Sequence, residues 1–166
     1  GAEPYLTNLE QRELVLRRIC EPLKPLYEFI IFDCPPSLGL LTVNALAAAD
    51  SALIPMQCEY FALEGLNSLM RTIGLIRESV NPGLRVGGIL FTMTDFRMSL
   101  AKEVAGEVKK FFEQLVFNTS IPRNVRLAEA PSFGKPICVY DPHSAGALSY
   151  QLVTQELIER ESATSS

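Results

Sequence analysis

A carboxylate at the end of a short apolar run is the first feature of this sequence that could do chemistry. The run covers residues 29–32, Asp33 follows it, and Pro35 and Pro36 then end it because proline cannot donate to a neighbouring strand. Such a run is typical of a strand buried on both faces of a parallel sheet, whose carboxyl end faces the ligand crevice. Asp33 is therefore predicted to hold a hard cation, directly or through water, against phosphate oxygens, and the alternative is an acid that caps a turn.

Two arginines follow later predicted strands and could bind an anion at the same edge of the sheet. Arg97 comes after the third strand, and Arg126 lies in the loop after the fourth. Neither belongs to an apolar periodic stripe, which disfavours a role in packing. One interpretation is contact with a phosphate group of a ligand or partner. The other is a solvated arginine or a local ion pair, to Asp95 or to Glu129, and surface pairs of that kind stabilise little.

The distribution of charge limits the kind of partner. The net charge of −4 argues against a uniformly basic DNA-binding surface. Residues 97–135, however, hold seven Lys/Arg and four Asp/Glu, a balance of +3, whereas the rest of the chain has a balance of −7. We therefore expect a local basic face on an acidic body.

The cysteines and the one histidine show no pattern of a metal site. Cys20, Cys34, Cys58 and Cys138 form no CxxC pair and have no histidine at ligand spacing, so we interpret them as reduced, small buried hydrophobes. A metal or cluster site is the alternative. His143 has no partner histidine and no serine or cysteine motif around it, which predicts a surface position.

The hydrophobic pattern alternates between strand and helix. Apolar runs predict strands at 29–32, 51–56, 86–93, 115–121 and 137–140. Periodicity and cap residues predict helices at 9–25, 40–49, 62–80, 99–114 and 142–160. Ser37 and Asp141 are the predicted caps of the second and last helix. Gly87 and Gly88 allow a close approach or a bulge in the third strand, and residues 122–133 form a long polar loop.

This alternation indicates an α/β fold, a doubly wound and mostly parallel sheet with flanking helices. We expect one domain over residues 1–166, with residues 161–166 as a frayed tail. A hydrophobic content of 48% is enough for a real core. No signal peptide and no apolar run of about 18 residues is recognisable, so we expect a soluble cytoplasmic protein without a membrane partner.

Three stretches together resemble the ParA/Soj family of partition ATPases, in the deviant-Walker-A branch of P-loop NTPases. They read YEFIIFDCPPSLGLLTVNALAAAD, IPMQCEYFALEGL and IPRNVRLAEAPSFGKPICVYDPHSAGALSY, in the order of the family. The resemblance covers about residues 7–160. Several separate motifs in one order are a far more specific signal than one acidic strand end.

The resemblance implies a nucleotide-switched homodimer that uses ATP/ADP and Mg²⁺. The ATP form binds DNA without sequence preference, on the nucleoid in the cytoplasm, and a ParB-type partner stimulates hydrolysis and release. In this family's terms Asp33 resembles the Walker B aspartate, which helps to position Mg²⁺. The turn with Pro122 and Arg123 matches the segment beside the adenine. Arg97 and Arg126 match positions that contact DNA phosphates.

The glycine-rich phosphate loop of the family has no counterpart in these 166 residues. No G-x-x-x-x-G-K-[ST] motif occurs, and the one Gly-Lys pair, Gly134-Lys135, is followed by Pro136. We therefore expect the C-terminal part of such a protein, without the first phosphate-loop strand. Alone it should be a poor ATPase or none, with no tightly bound nucleotide, and should expose the strand edge that the first strand would cover.

Two other functions stay open. A MinD-like membrane-cycling ATPase would carry a basic amphipathic helix at its C-terminus, whereas residues 157–166 are acidic and then small and polar. A non-enzymatic dimerisation module is the other alternative.

Overall fold

The computed structural model describes residue 6 and residues 9–164, apart from the side chain of residue 164. These residues form two compact units, described separately below. The first comprises the described residues up to Ala52 together with Gly65–Arg85. The second comprises Leu53–Glu64 and the described residues from Val86 onwards. The expectation of one domain stays a prediction.

Helices and strands alternate in the middle of the chain, as the sequence predicts. The strands of the described residues are β1 (Ser51–Gln57) and β2 (Arg85–Thr92), which are neighbours in one sheet. The α-helices are α1 (Val15–Cys20), α2 (Leu40–Ala48), α3 (Ala62–Ser79), α4 (Ser99–Phe112), α5 (Val125–Glu129), α6 (Ile137–Tyr140) and α7 (Ala145–Thr164). The helix α3 makes the crossover that lets β1 and β2 run parallel. This confirms the α/β fold with a parallel sheet and flanking helices.

Two buried asparagines hold the first unit together. Asn44 on α2 donates its side-chain amide to the carbonyls of Arg12 and Leu40 (2.8 and 3.0 Å), and its Oδ1 accepts from the amide of Leu16 (3.1 Å). Asn81 donates to two carbonyls near the C-terminal end of α2, at 3.0 and 2.8 Å. Each bond pairs a backbone N–H or C=O group, and such groups are costly to bury without a hydrogen-bond partner. The apolar helix α2 is thereby fixed at both ends.

The predicted strand at 29–32 is wrong as a description of this chain. The segment has no regular secondary structure, and Ile31 is 85% exposed. A strand needs a neighbour that pairs with its backbone N–H and C=O groups. Among the described residues the sheet contains β1 and β2 only. Without a ladder partner, Phe29, Ile30 and Ile31 remain exposed, and Phe32 is half-buried.

The ends of two helices also differ from the prediction. Residues 9–25 do not form one helix, because 3-10 turns (Arg12–Leu14 and Glu21–Leu26) flank α1 and the second turn contains Pro22 and Pro25. The N-cap of α2 is Gly39, not Ser37. The carbonyl of Ser37 instead accepts a hydrogen bond from the hydroxyl of Thr42 (2.6 Å).

The predicted strand at 115–121 lies beside β2, but its pairing is interrupted. Parallel bridges join Ile89 to Val116 and Thr94 to Pro122. Between them the backbone amides of Asn118 and Thr119 donate to the carboxylate of Glu156 on α7, at 2.8 and 3.0 Å. These amides therefore do not pair with β2, and the segment is no regular strand. The apolar side chains of the region still form a core of Leu90, Phe117, Ile121 and Val153, with Leu127 and Leu157 packed against it.

The chain between residues 122 and 144 is more helical than predicted. The predicted loop 122–133 contains α5, whose N-cap Asn124 accepts from the amide of Arg126 (2.8 Å), and then a 3-10 turn at Ala130–Phe133. The predicted strand 137–140 is the short helix α6. Its turn closes because the amides of Val139 and Tyr140 both donate to the carbonyl of Pro136, at 2.9 Å each.

The last helix is shifted towards the C-terminus relative to its prediction. The helix α7 begins at Ala145, where the hydroxyl of Ser144 accepts from the amide of Ala147 (3.1 Å), so Ser144 and not Asp141 supplies the capping side chain. It continues to Thr164, through the first four residues of the predicted frayed tail. Residues 165–166 of that tail lie outside the described residues.

Candidate functional site

Asp33 lies in the first unit, in the exposed irregular segment that follows residues 29–32. Its carboxylate is open to solvent. Partial desolvation of the Cys34 thiol raises the pKa of that thiol, and the negative charge of Asp33 adds to the increase. Among the described residues no group of three or more His, Cys, Asp and Glu side chains could hold a metal ion. Mg²⁺ commonly needs one or two carboxylates together with phosphate oxygens and water. An exposed aspartate fits one such ligand position.

The turn with Pro122 and Arg123 is held at the carboxyl end of β2, in the second unit. The amide and hydroxyl of the buried Thr94 donate to the carbonyl of Ile121, at 3.0 and 3.3 Å. The amide of Arg123 donates to the carbonyl of Thr94 (3.1 Å). The sequence predicts that the segment with Thr94 and the turn with Pro122 and Arg123 both lie at the carboxyl edge of the sheet. These bonds bring the two segments side by side.

Arg97 forms a bidentate ion pair with Asp95. Its Nε and Nη2 donate to the two carboxylate oxygens at 2.8 and 2.6 Å, and its backbone amide donates to Oδ1 at 3.2 Å. The hydrogen bonds from Arg97 lower the pKa of Asp95 to about 2, and the positive charge of Arg123 contributes to the lowering. The local ion pair that the sequence allows is therefore present. The side chain of Arg97 is nevertheless 91% exposed, which leaves it accessible to a phosphate.

The backbone directly before this ion pair is unusual. Met93 has a φ of 51°, in the left-handed region that costs a non-glycine residue roughly 1 kcal/mol or more. Its side chain and that of Phe96 are exposed. Sequence reasoning does not identify Met93, because methionine carries no signal for a left-handed turn.

Arg126 belongs to a second polar cluster of the same unit. Its Nη1 donates to Oε2 of Glu129 at 2.9 Å, and its Nε lies 3.4 Å from Oδ2 of Asp141. The hydroxyl of Tyr140 donates to the same Oε2 of Glu129 at 3.1 Å, and its ring stacks on Phe133 with 5.0 Å between the ring centroids. The hydrogen bond from Arg126 lowers the pKa of Glu129 the most, and the hydrogen bond from Tyr140 lowers it further. The pair with Glu129 is the alternative that the sequence allows, at a spacing of three residues.

Two members of this second cluster have no sequence signal. Tyr140 and Asp141 lie 14 and 15 residues after Arg126, and they reach it because α6 ends beside α5. The i,i+3 spacing of Arg126 and Glu129 on a helix is the one signal for the cluster that the sequence carries.

Among the described residues, the cysteines and the histidine belong to no group of three or more side chains that could hold a metal ion. Cys20 is buried as predicted, whereas Cys34 and Cys138 are exposed and Cys58 is half-buried. The prediction of buried cysteines is therefore wrong for Cys34 and Cys138. The prediction of a surface position for His143 is confirmed.

Comparison with known proteins places the chain in a family. The model of a family described as an AAA domain matches residues 1–86, just over half of the chain. A chromosome partitioning protein ParA from Myxococcus xanthus is 54% identical over 165 residues, which are 99% of this chain and 58% of that protein. A sporulation initiation inhibitor protein Soj from Bacillus subtilis is 53% identical over 157 residues, which are 95% of this chain and 62% of that protein. This chain belongs to the ParA/Soj family of partitioning ATPases.

A solved structure of a more distant protein has the same fold as this ParA/Soj chain. Cobyrinic acid a,c-diamide synthase from Mycobacterium smegmatis, with bound ADP and magnesium, superposes with a TM-score of 0.67 at 34% identity. The match covers 81% of this chain and 60% of the other. This chain spans about three fifths of the length of the curated ParA and Soj relatives. Over the residues that the structure describes, no helix is both long enough and apolar enough to cross a membrane.

Proposed function

We propose that this chain works in a nucleotide-switched partitioning ATPase that binds DNA through Arg97 and Arg126. The observation that carries the proposal is the exposure of both arginines in one unit of an acidic chain, with side chains 91% and 55% exposed. In the intact protein, the ATP-bound homodimer holds DNA without sequence preference. A ParB-type partner stimulates hydrolysis and thereby release.

Asp33, Pro122 and Arg123 make up the nucleotide side of the proposal. Asp33 would hold Mg²⁺, and the turn with Pro122 and Arg123 would contribute to binding the adenine. The Mg²⁺ supplies positive charge against the phosphates when it is bound. The related synthase with ADP and magnesium supports this assignment, as does the fixed position of the turn on Thr94.

This chain by itself should bind MgATP weakly. Its 166 residues hold no G-x-x-x-x-G-K-[ST] loop, and the exposed Asp33 offers one carboxylate without the amide cradle and lysine of such a loop. Calorimetric titration of the chain with MgATP measures this. Sub-micromolar affinity of the monomer would contradict the assignment of the nucleotide site.

The substitution Arg126→Ala tests the DNA-binding role. In the complete protein with MgATP, we expect it to weaken binding to all duplex sequences alike, by about threefold to tenfold at moderate salt, because one phosphate contact per subunit is lost. The slope of log affinity against log salt should fall by roughly one contact per subunit. Fluorescence anisotropy on two duplexes of unrelated sequence, over a range of salt, measures both quantities.

Arg71→Ala is the matched control, because Arg71 is an exposed arginine of α3 in the first unit. It makes the same change of charge and should leave the salt slope as it is. ATP-dependent dimerisation, followed by light scattering, should survive in both variants. Normal DNA binding by Arg126→Ala, or loss of its dimerisation, would contradict the role assigned to Arg126.

A further inference from the structure

Arg126 shares its charge with two carboxylates. Glu129 and Asp141 face Nη1 and Nε of the guanidinium at 2.9 and 3.4 Å. One positive and two negative charges give this group a net charge of −1. A phosphate that approaches Arg126 therefore meets a net negative cluster, unlike one that approaches an isolated arginine. All three side chains are partly open to solvent, so a ligand can reach the group.

Tyr140 fixes one of the two acids. Its hydroxyl donates to the same Oε2 of Glu129 that accepts from Arg126, and its ring is stacked on Phe133. A carboxylate oxygen that accepts two hydrogen bonds is held in place more firmly than a freely rotating surface acid. Glu129 is therefore held next to the guanidinium and is more than a mobile surface charge.

We propose that Glu129 and Asp141 compete with DNA phosphate for Arg126, so that they limit how tightly the complete protein holds DNA. The inference rests on the DNA-binding role of Arg126 given above. Both acids act on DNA binding through Arg126, and neither is assigned a contact with DNA. When phosphate binds, it takes the place of a carboxylate next to the guanidinium, and the displaced acid lies close to the incoming negative charge. Such binding is weak and readily reversed.

A purely structural role for the two acids predicts the opposite sign. If Glu129 and Asp141 served to hold Arg126 in the orientation that DNA needs, removing their charge would weaken DNA binding. The substitution Glu129→Gln separates the two ideas, because glutamine keeps an oxygen that can accept from Arg126 and Tyr140 while the negative charge is removed.

The experiment measures DNA binding of the complete protein with MgATP. We expect Glu129→Gln to raise the affinity for duplex DNA about threefold to tenfold at moderate salt, because the repulsion of phosphate is reduced. Asp141→Asn should act in the same direction with a smaller effect, since Asp141 lies farther from the guanidinium. Glu103→Gln, on the exposed face of α4, is the matched control for net charge and should change the affinity less than Glu129→Gln does.

A double substitution shows whether Glu129 acts through Arg126. The gain from Glu129→Gln should disappear when Arg126→Ala is also present, because there is no longer a guanidinium for which to compete. Restoring the charge with Glu129→Asp should return the affinity towards the unsubstituted value.

The outcomes separate this inference from the proposed function. If Arg126→Ala weakens DNA binding while Glu129→Gln and Asp141→Asn bind as the unsubstituted protein does, or more weakly, the competition is refuted and the DNA-binding role stands. If Arg126→Ala binds normally, both ideas are refuted. Thermal unfolding of each variant identifies any that fails to fold. Because the two acids lie on separate elements, Asp141→Asn decides the question if Glu129→Gln is such a case.

Discussion

Asp95 and Arg97 show how much a single surface pair can alter a titration. The hydrogen bonds of Arg97 hold the pKa of Asp95 at about 2 in the folded chain. Because this pKa is lowered, the contribution of Asp95 to stability is fully present above the ordinary value of about 3.9. It is lost as the pH falls through about 2. The contribution of this pair to stability therefore does not change with pH in the neutral range.

We expect Arg97→Ala to raise the pKa of Asp95 towards about 3.9, because both side-chain hydrogen bonds are lost. The NMR chemical shift of the Asp95 carboxyl carbon reports this pKa when it is followed from pH 5 down to the lowest pH at which the chain stays folded. Arg126→Ala is the control, since Arg126 pairs with Glu129 and Asp141. An unchanged titration of Asp95 in Arg97→Ala would show that another group lowers its pKa.

At the level of residues, the sequence predicted the ion-pair partners of the two arginines better than the burial and the more distant contacts of the site residues. The ion pairs of Arg97 and Arg126 join residues two and three positions apart, so local spacing reveals them. Tyr140 ends a different helix and Asp141 directly follows that helix, so spacing along the chain gives no sign of their contact with Arg126 or Glu129. The sequence predicted that residues 29–32 form a buried strand before Asp33. Such burial requires neighbouring strands, and the sequence of one segment does not show whether they are present.

Gly88 determines how closely the chain at residue 117 can approach β2. A Cβ atom at Gly88 would lie 2.3 Å from Cε2 of the buried Phe117 and 3.0 Å from the carbonyl oxygen of Leu115. This confirms the close approach that the paired glycines predict. We expect Gly88→Ala to lower the free energy of unfolding by roughly 1–3 kcal/mol, because Phe117 and the backbone must both move.

Urea unfolding of the chain measures this difference. Gly106→Ala is the control, because a Cβ atom at Gly106 on α4 would have nothing within 4 Å. Alanine is the better helix former, so this variant should gain up to about 1 kcal/mol. Equal stability of the two variants would show that the contact between Gly88 and Phe117 does not limit the packing.

At the level of elements, long periodic segments were predictable and short apolar ones were not. The predicted helices 62–80 and 99–114 agree within two residues with α3 and α4, because each shows many turns of periodicity. Residues 137–140 supply only four apolar positions, which fit a strand and a helical turn equally well. Hydrogen bonds to the carbonyl of Pro136 decide for the helix.

For the whole molecule, the exposed segment at residues 29–32 has consequences for association. Phe29, Ile30 and Ile31 are all exposed, next to backbone that no described strand pairs with. Exposed apolar residues on unpaired backbone can pair with another chain as an open strand edge does. We therefore expect the average mass of this chain to rise with concentration, to dimers and larger assemblies.

Ile31→Lys should shift this association to about tenfold higher concentration, because an apolar contact is lost and like charges would meet in the paired form. Light scattering of a dilution series measures the average mass. Leu75→Lys is the matched control, since Leu75 is an exposed apolar residue whose backbone lies within the helix α3. A chain that stays monomeric at high concentration, or two variants that associate alike, would show that residues 29–32 do not drive the association.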